Sequence, residues 1–291
     1  MRPESAVPSR GAASASRIID FHVHAFPDDV AGRAVSRIQE SAGVIPALDG
    51  RVTSLLASMD AAGIGRSVVL SIATKPRQFE SILAWSREVA GGRLLPLLSV
   101  HPADPAAPEK IRAAADEGFP GFKLHPYSQD YDLDDRAMDS VYAALQDTGL
   151  ICVSHTGFDT AFPLVRRADP PRIVRVLDRF PRLKLVATHL GAWKDWELVA
   201  RHLAGADLWI DTSYSLDFMP QAAARDLILS FPADRVLFGS DSPWADQARS
   251  LAVIRDLGLD AEREEAILSG NAEKLLAPFR GPRRLRDSQR G

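Results

Sequence analysis

The 291-residue chain has one cysteine, Cys152, so no internal disulfide can form, and a reducing compartment such as the cytoplasm is the expectation. It lacks any apolar run of about 18 residues, the length a membrane-spanning helix requires, so a membrane protein is not expected. Neither sign of charge dominates. The 35 Lys and Arg against 38 Asp and Glu give a formal net charge of −3, which offers no field to attract nucleic acid. Fixed-period repeats of the solenoid kind are absent as well. Residues 1–16, rich in Ala, Ser, Pro and Arg, lack the apolar stretch of a secretory signal and read as a flexible extension. Residues 280–291 carry Arg280, Arg283, Arg284, Arg286 and Arg290 and read as a basic, solvated, flexible tail.

The material for a core is ample, with 46% hydrophobic residues and 25% charged. The length suits a single α/β barrel, which commonly takes about 250 residues. Short runs rich in Val, Ile, Leu and Phe, near 18–24, 67–73, 94–100, 119–125, 150–155, 183–189, 207–213 and 235–241, read as strands covered on both faces. Segments of helical pattern alternate with them, near 51–62, 77–90, 106–117, 134–147, 171–180, 194–203, 218–230, 246–257 and 262–277. This is the order of a (β/α)8 TIM barrel, distorted, filling residues 17–279 as one domain. Gly63, Gly118 and Gly149 stand where a left-handed turn would close a helix, and Asp134 and Asp135 where an N-cap would start one. The long connection over 25–50, with Pro27, Pro46 and Gly50, is expected to form a lid or carry a short helix over the barrel mouth.

Four of the strands end in residues that bind divalent metals: Asp20-Phe21-His22-Val23-His24, Val153-Ser154-His155, Ala187-Thr188-His189 and Phe238-Gly239-Ser240-Asp241. Every one lies at the C-terminal end of its strand, the face where barrel enzymes place their chemistry. Alternate residues of a strand share a face, so His22 and His24 can reach one ion, and Asp20 is expected beside them to hold a ligand histidine in its tautomer. Lys123 and His125 share a face in the same way. Cys152 has the opposite parity to His155 and should face the outer helices as a packed thiol. Tyr127, Trp193, Tyr214 and Trp244 follow strands and either wall a pocket or cover helix tops. His101 lines the mouth or closes a turn, and His202 reads as a surface or packing residue of a helix.

The ordered set resembles the amidohydrolase superfamily, in its amidohydrolase-related branch with the aminocarboxymuconate semialdehyde decarboxylase-like enzymes. The resemblance covers roughly residues 17 to 279 and includes Gly270-Asn271-Ala272, similar to the family's closing helix. It implies that His22, His24, His155 and Asp241 hold one divalent ion, zinc or alternatively manganese. Asp241 would then take a proton from water and return it to the leaving group, and His189 would act as electrophile and acid. Lys123 stands where two-metal members carry a carboxylated lysine, in which case a second ion would sit on His155 and His189. Otherwise Lys123, with His125, Tyr127, Trp193 and Trp244, would bind a carboxylate-bearing small molecule, or Lys123 would pair with Asp20 or Asp241. Hydrolysis of a small amide, lactone or ester is the leading expectation, and non-oxidative decarboxylation of a small unsaturated or aromatic acid its nearest rival. A related nuclease carries a glutamate where this chain has Lys123, and a non-catalytic barrel would be marked by a missing ligand. The reading involves no nucleic acid and no membrane, and it allows a homodimer.

Overall fold

The computed structural model describes residues 16–279 and 281. The extension expected over 1–16 and the tail expected over 280–291 thus fall outside the described residues, Ser16 and Gly281 apart. Eight strands occur in chain order: β1 Ile19–Val23, β2 Arg66–Leu70, β3 Leu94–Leu97, β4 Gly121–Leu124, β5 Ile151–Ser154, β6 Lys184–Ala187, β7 Trp209–Asp211 and β8 Val236–Leu237. All neighbours pair in parallel, β1 to β3 in one run and β4 to β8 in another. Two seams join the runs. Leu98 bridges Phe122 between β3 and β4, and Val23 bridges Ser242 between β8 and β1, which closes a TIM barrel.

Alternation along the strands sorts the core into two parts. Ile19, Phe21, Val68, Leu70, Leu97, Ile151, Val153, Val186 and Leu237 fill the barrel interior. Cys152, Phe122, Leu124, Leu185 and Ile210, of opposite parity, pack outward against the helices, as expected for Cys152. Burial pushes its thiol up to about 12, so it stays protonated and inert. A terminal helix, Asn271–Leu276, plugs the interior with Ala272, Leu275 and Leu276, and the Asn271 amide donates to the carbonyls of Ala233 and Val236 at 2.8 Å each. Among the described residues no helix is long and apolar enough to cross a membrane.

Gly63, Gly118 and Gly149 close helices at φ 70°, 91° and 67°. Asp135 caps a short 3-10 turn over Arg136–Met138, accepting from Ala137 N at 2.9 Å. Asp134 does not cap; its carboxylate instead takes the guanidinium groups of Arg172 and Arg175. The connection after β1 contains α1, Asp28–Ala42, of 15 residues. Only Ala31 and Val35 of α1 are buried, and its inner face roofs the barrel mouth. A second roof element, the helix Phe79–Val89, follows β2 and is called α2 below.

Candidate active site

A β-bulge sets the first two imidazoles. Asp20 pairs with Ser67 and Val23 with Val69, so three steps of β1 oppose two of β2. The extra residue lets Phe21 fill the interior while His22, its neighbour, also turns inward to the mouth. Strict alternation had placed Asp20 on the face of His22 and His24, and here it fails. Asp20 instead lies at the seam with β8. It accepts from Ser240 N at 2.9 Å, Ser240 Oγ at 2.6 Å, Gln247 Nε2 at 2.8 Å and the His22 backbone N–H at 3.2 Å. It clamps the bulge rather than an imidazole.

The carboxylate that orients a histidine is Asp211, at the end of β7. His22 Nδ1 donates to its Oδ2 at 2.8 Å, while its Oδ1 accepts from His189 N, Ser213 N and Ser213 Oγ. Burial works against that carboxylate, but His22 and its hydrogen bonds prevail and lower its pKa to about 2. The sequence reading missed Asp211. The available signal was an acidic residue at the C-terminal end of an otherwise apolar strand.

The remaining partners fix the other tautomers. His24 Nδ1 donates to Leu70 O at 2.8 Å, His189 Nδ1 to Ser213 O at 3.0 Å and His155 Nε2 to Phe158 O at 3.1 Å. Each imidazole therefore turns a bare nitrogen into the mouth. His22 Nε2 and His24 Nε2 lie 3.3 Å apart, and each is 3.2 Å from Asp241 Oδ1. His189 Nε2 faces His155 Nδ1 at 3.1 Å. Lone pairs pointed at one another repel unless a cation stands between them. Donors arranged tetrahedrally at about 2.0–2.1 Å from a zinc ion would stand about 3.3 Å apart, so His22, His24 and Asp241 fit a divalent metal in both chemistry and spacing. Of the four expected ligands the structure gathers three, His22, His24 and Asp241; His155 groups instead with His125 and Asp159, and its Nδ1 meets His189 Nε2.

The electrostatics agree. Burial and the neighbouring His125 and His189 hold His155 well below the usual imidazole range, and burial lowers His24 and brings His189 down to about 4. For His22 burial and Lys123 oppose protonation, but Asp211 and Asp241 outweigh them and raise it. Burial disfavours the Asp241 carboxylate, yet His22, His24 and His189 keep its pKa well below the ordinary value. Both His189 and Asp241 adopt left-handed backbone, φ 61° and 72°, strain of about 1–3 kcal/mol each that concentrates at functional sites. The hydrogen bond from Asp241 N to His22 O, 2.8 Å, ties the two ligand strands together.

A second grouping, His125, His155 and Asp159, lies alongside. It is already satisfied. His125 Nε2 meets Asp159 Oδ2 at 3.3 Å, its Nδ1 accepts from Ser128 N, and its ring stacks on His155 at 4.3 Å. Asp159, in the loop after β5, was not singled out from the sequence, where nothing marks a loop aspartate. Lys123 is buried, and burial brings its ammonium down to about 8. It forms no pair with Asp20 or Asp241.

A cavity of about 1180 Å³ opens over the cluster. Lys123, His125, Trp193, Tyr214 and Trp244 line it with His22, His24, His155, His189 and Asp241. Tyr127 does not line it; its hydroxyl lies 2.9 Å from Gly157 O and 2.7 Å from Val165 O, and its ring packs edge-on against His155. His101 closes a turn by accepting from Ala103 N, and His202 is exposed at a helix end.

Fold and donor set define a barrel enzyme built around a divalent metal. The chain belongs to the amidohydrolase family, whose model matches residues 19–277. A curated relative, decarboxylase orsB of Emericella nidulans, is 27% identical over 123 residues, 35% of this chain and 36% of its own length. The chain thus matches about a third of the length of that relative. Among solved structures, 5-carboxyvanillate decarboxylase LigW of Sphingomonas paucimobilis superposes with a TM-score of 0.68 at 20% identity, over 91% of this chain and 99% of the other. LigW2 of Novosphingobium aromaticivorans, solved with bound manganese, gives 0.68 at 15% identity over 92% and 99%. A 2,6-dihydroxybenzoate decarboxylase from Rhizobium gives 0.64 at 16% over 91% and 99%. These likenesses establish the shared fold.

The doubly substituted His22→Ala/His24→Ala protein should lose its divalent metal on elemental analysis yet keep the wild-type circular dichroism spectrum, because the interior apolar layer lies below the ligands. Full metal content in that variant would remove both residues from the metal site.

Proposed function

We propose that the protein is a metal-dependent, non-oxidative decarboxylase of a small aromatic or unsaturated carboxylic acid. The observation that carries this reading is Lys123, a buried ammonium on the cavity wall with no ion pair among the described residues. Asp211 and Asp241 compensate that buried charge only at a distance, and a ligand carboxylate in direct contact would relieve more of its desolvation cost. Burial brings the ammonium down to about 8, Asp211 and Asp241 pull it back up, and an arriving anion favours the charged form. The decarboxylase relatives support the same choice over hydrolysis.

His22, His24, His155 and Asp241 would hold one ion, for which an imidazole-rich set favours zinc over manganese. Such an ion supplies Lewis acidity toward oxygen atoms of the acid. Lys123 orients the carboxylate, and Trp193 and Trp244 wall the ring. The bond to the carboxyl carbon breaks, carbon dioxide leaves, and the electron pair remains on the carbon that bore it. That carbon then needs a proton. Asp241 and His189, both held unprotonated, act as carriers that accept a proton from water or a substrate hydroxyl and pass it on.

Hydrolysis of a small amide, lactone or ester is the second reading, favoured by an Asp241 kept ionised, the form a base for water requires. Incubating metal-loaded protein with hydroxybenzoates and cinnamates, and separately with lactones and anilides, distinguishes them. Carbon dioxide release, with deuterium at the vacated carbon in heavy water, supports decarboxylation. Ring opening of lactones without carbon dioxide release would make the protein a hydrolase. Lys123→Met should raise KM for the acid about 10- to 100-fold, the worth of a charge-assisted contact, with metal content unchanged. Loss of an ion in that variant would instead identify a carboxylated lysine bridging two metals.

A further inference from the structure

The cavity is larger than a small aromatic acid requires. At about 1180 Å³ it exceeds the roughly 300–1,000 Å³ of pockets that take drug-sized ligands. It does not end at the metal cluster but continues outward between α1 and α2. There its walls are apolar, with Val30, Ala34 and Ile38 on α1 facing Ile82 and Trp85 on α2.

The lining residues that are exposed at the rim, rather than partly buried like these, include cations. Arg33 and Arg37 lie one turn apart on α1, so both guanidinium groups project from one face, and Lys75 joins them from the loop after β2. None of the three makes an ion pair among the described residues, although most arginines in the structure do, and Asp29 is the one carboxylate lining this outer part. An apolar passage that begins at an acid-binding ammonium and ends at three unpaired cations matches a molecule charged at both ends.

We propose that the α1–α2 passage is a binding subsite for an elongated substrate, an acid whose reacting carboxylate sits at Lys123 and whose apolar arm carries a second anionic group to Arg33, Arg37 and Lys75. This rests on the acid-substrate reading above. Arginine suits the role because its planar fork can meet a carboxylate or a phosphate with two parallel bonds. The exposed position of α1 lets such a ligand enter from solvent.

The probes are 4-alkoxybenzoates and the matching 4-(ω-carboxyalkoxy)benzoates in a series of increasing chain length. Their affinity for metal-loaded protein is measured by calorimetry, without turnover. At the best length the diacid should bind at least about tenfold more tightly than the alkyl-ended acid, and the advantage should shrink with added salt. Arg33→Ala/Arg37→Ala should abolish that advantage while leaving the alkoxybenzoates unchanged, and Lys75→Ala should reduce it. All three residues are exposed, so the variants should melt like the wild type. Equal affinity of diacid and monoacid at every length, an advantage that survives the double variant, or binding of neither series would overturn the subsite. Carbon dioxide release from short acids is read separately, so failure of the subsite and failure of the decarboxylase reading are distinguishable.

Discussion

Asp241→Asn should keep at least part of its metal and lose turnover by about 10²- to 10⁴-fold, the usual worth of a positioned proton carrier. The amide oxygen can still ligate beside His22 Nε2 and His24 Nε2, each now 3.2 Å from the carboxylate oxygen. What the amide cannot do is accept a proton. The substitution is nearly isosteric, and the left-handed backbone at 72° is among those asparagine tolerates better than most residues, so folding should not confuse the result. Elemental analysis with single-turnover kinetics reads both effects. Near-normal kcat in metal-loaded protein would remove Asp241 from proton transfer under either the decarboxylase or the hydrolase reading.

The positions of the strands were legible because each is buried on both faces and so reads as an apolar run, bounded by glycines whose φ the structure confirms at 63, 118 and 149. The convergence of His22, His24 and Asp241 was legible for a related reason: their places at strand ends are fixed by the barrel itself. The full extent of α1 was not. Gly32 interrupts it and only two of its side chains are buried, so no core stripe marks its 15 residues, and only a short helix or lid was expected there.

Two errors at the site share a physical origin in the backbone. Period-two alternation assumes an unbroken ladder, and the extra residue between Asp20 and Val23 breaks it, separating Asp20 from His22. Tyr127 was expected on the cavity wall because it follows β4, but its hydroxyl finds two carbonyls in the β5 loop and its ring packs edge-on against His155, which lines the cavity in its place. Neither the bulge nor a loop carbonyl leaves a mark in residue identity. Asp211 escaped for another reason, since its value lies in three-dimensional convergence with β1 and β6, whose residues are 189 and 22 positions away.

That convergence makes Asp211 the most consequential residue without a direct place in the metal cluster. Asp211→Ala should strand His22 Nδ1 and the backbone N–H groups of His189 and Ser213, each a buried donor worth about 1–3 kcal/mol when unsatisfied, so a loss of several kcal/mol in denaturant unfolding is expected. Asp211→Asn should retain more stability but free His22 to change tautomer, and metal affinity should fall about 10- to 100-fold. The pH dependence adds an independent check. The folded-state pKa of Asp211 is depressed, from 3.8 to about 2, so its contribution is present above about pH 4 and is lost as pH falls from 4 toward 2. That difference corresponds to about 2 kcal/mol. The stability gap between wild type and Asp211→Asn should therefore narrow as pH falls below 4. A gap that stays constant down to pH 2, or a variant that binds metal as tightly as the wild type, would show that Asp211 does not fix the His22 imidazole.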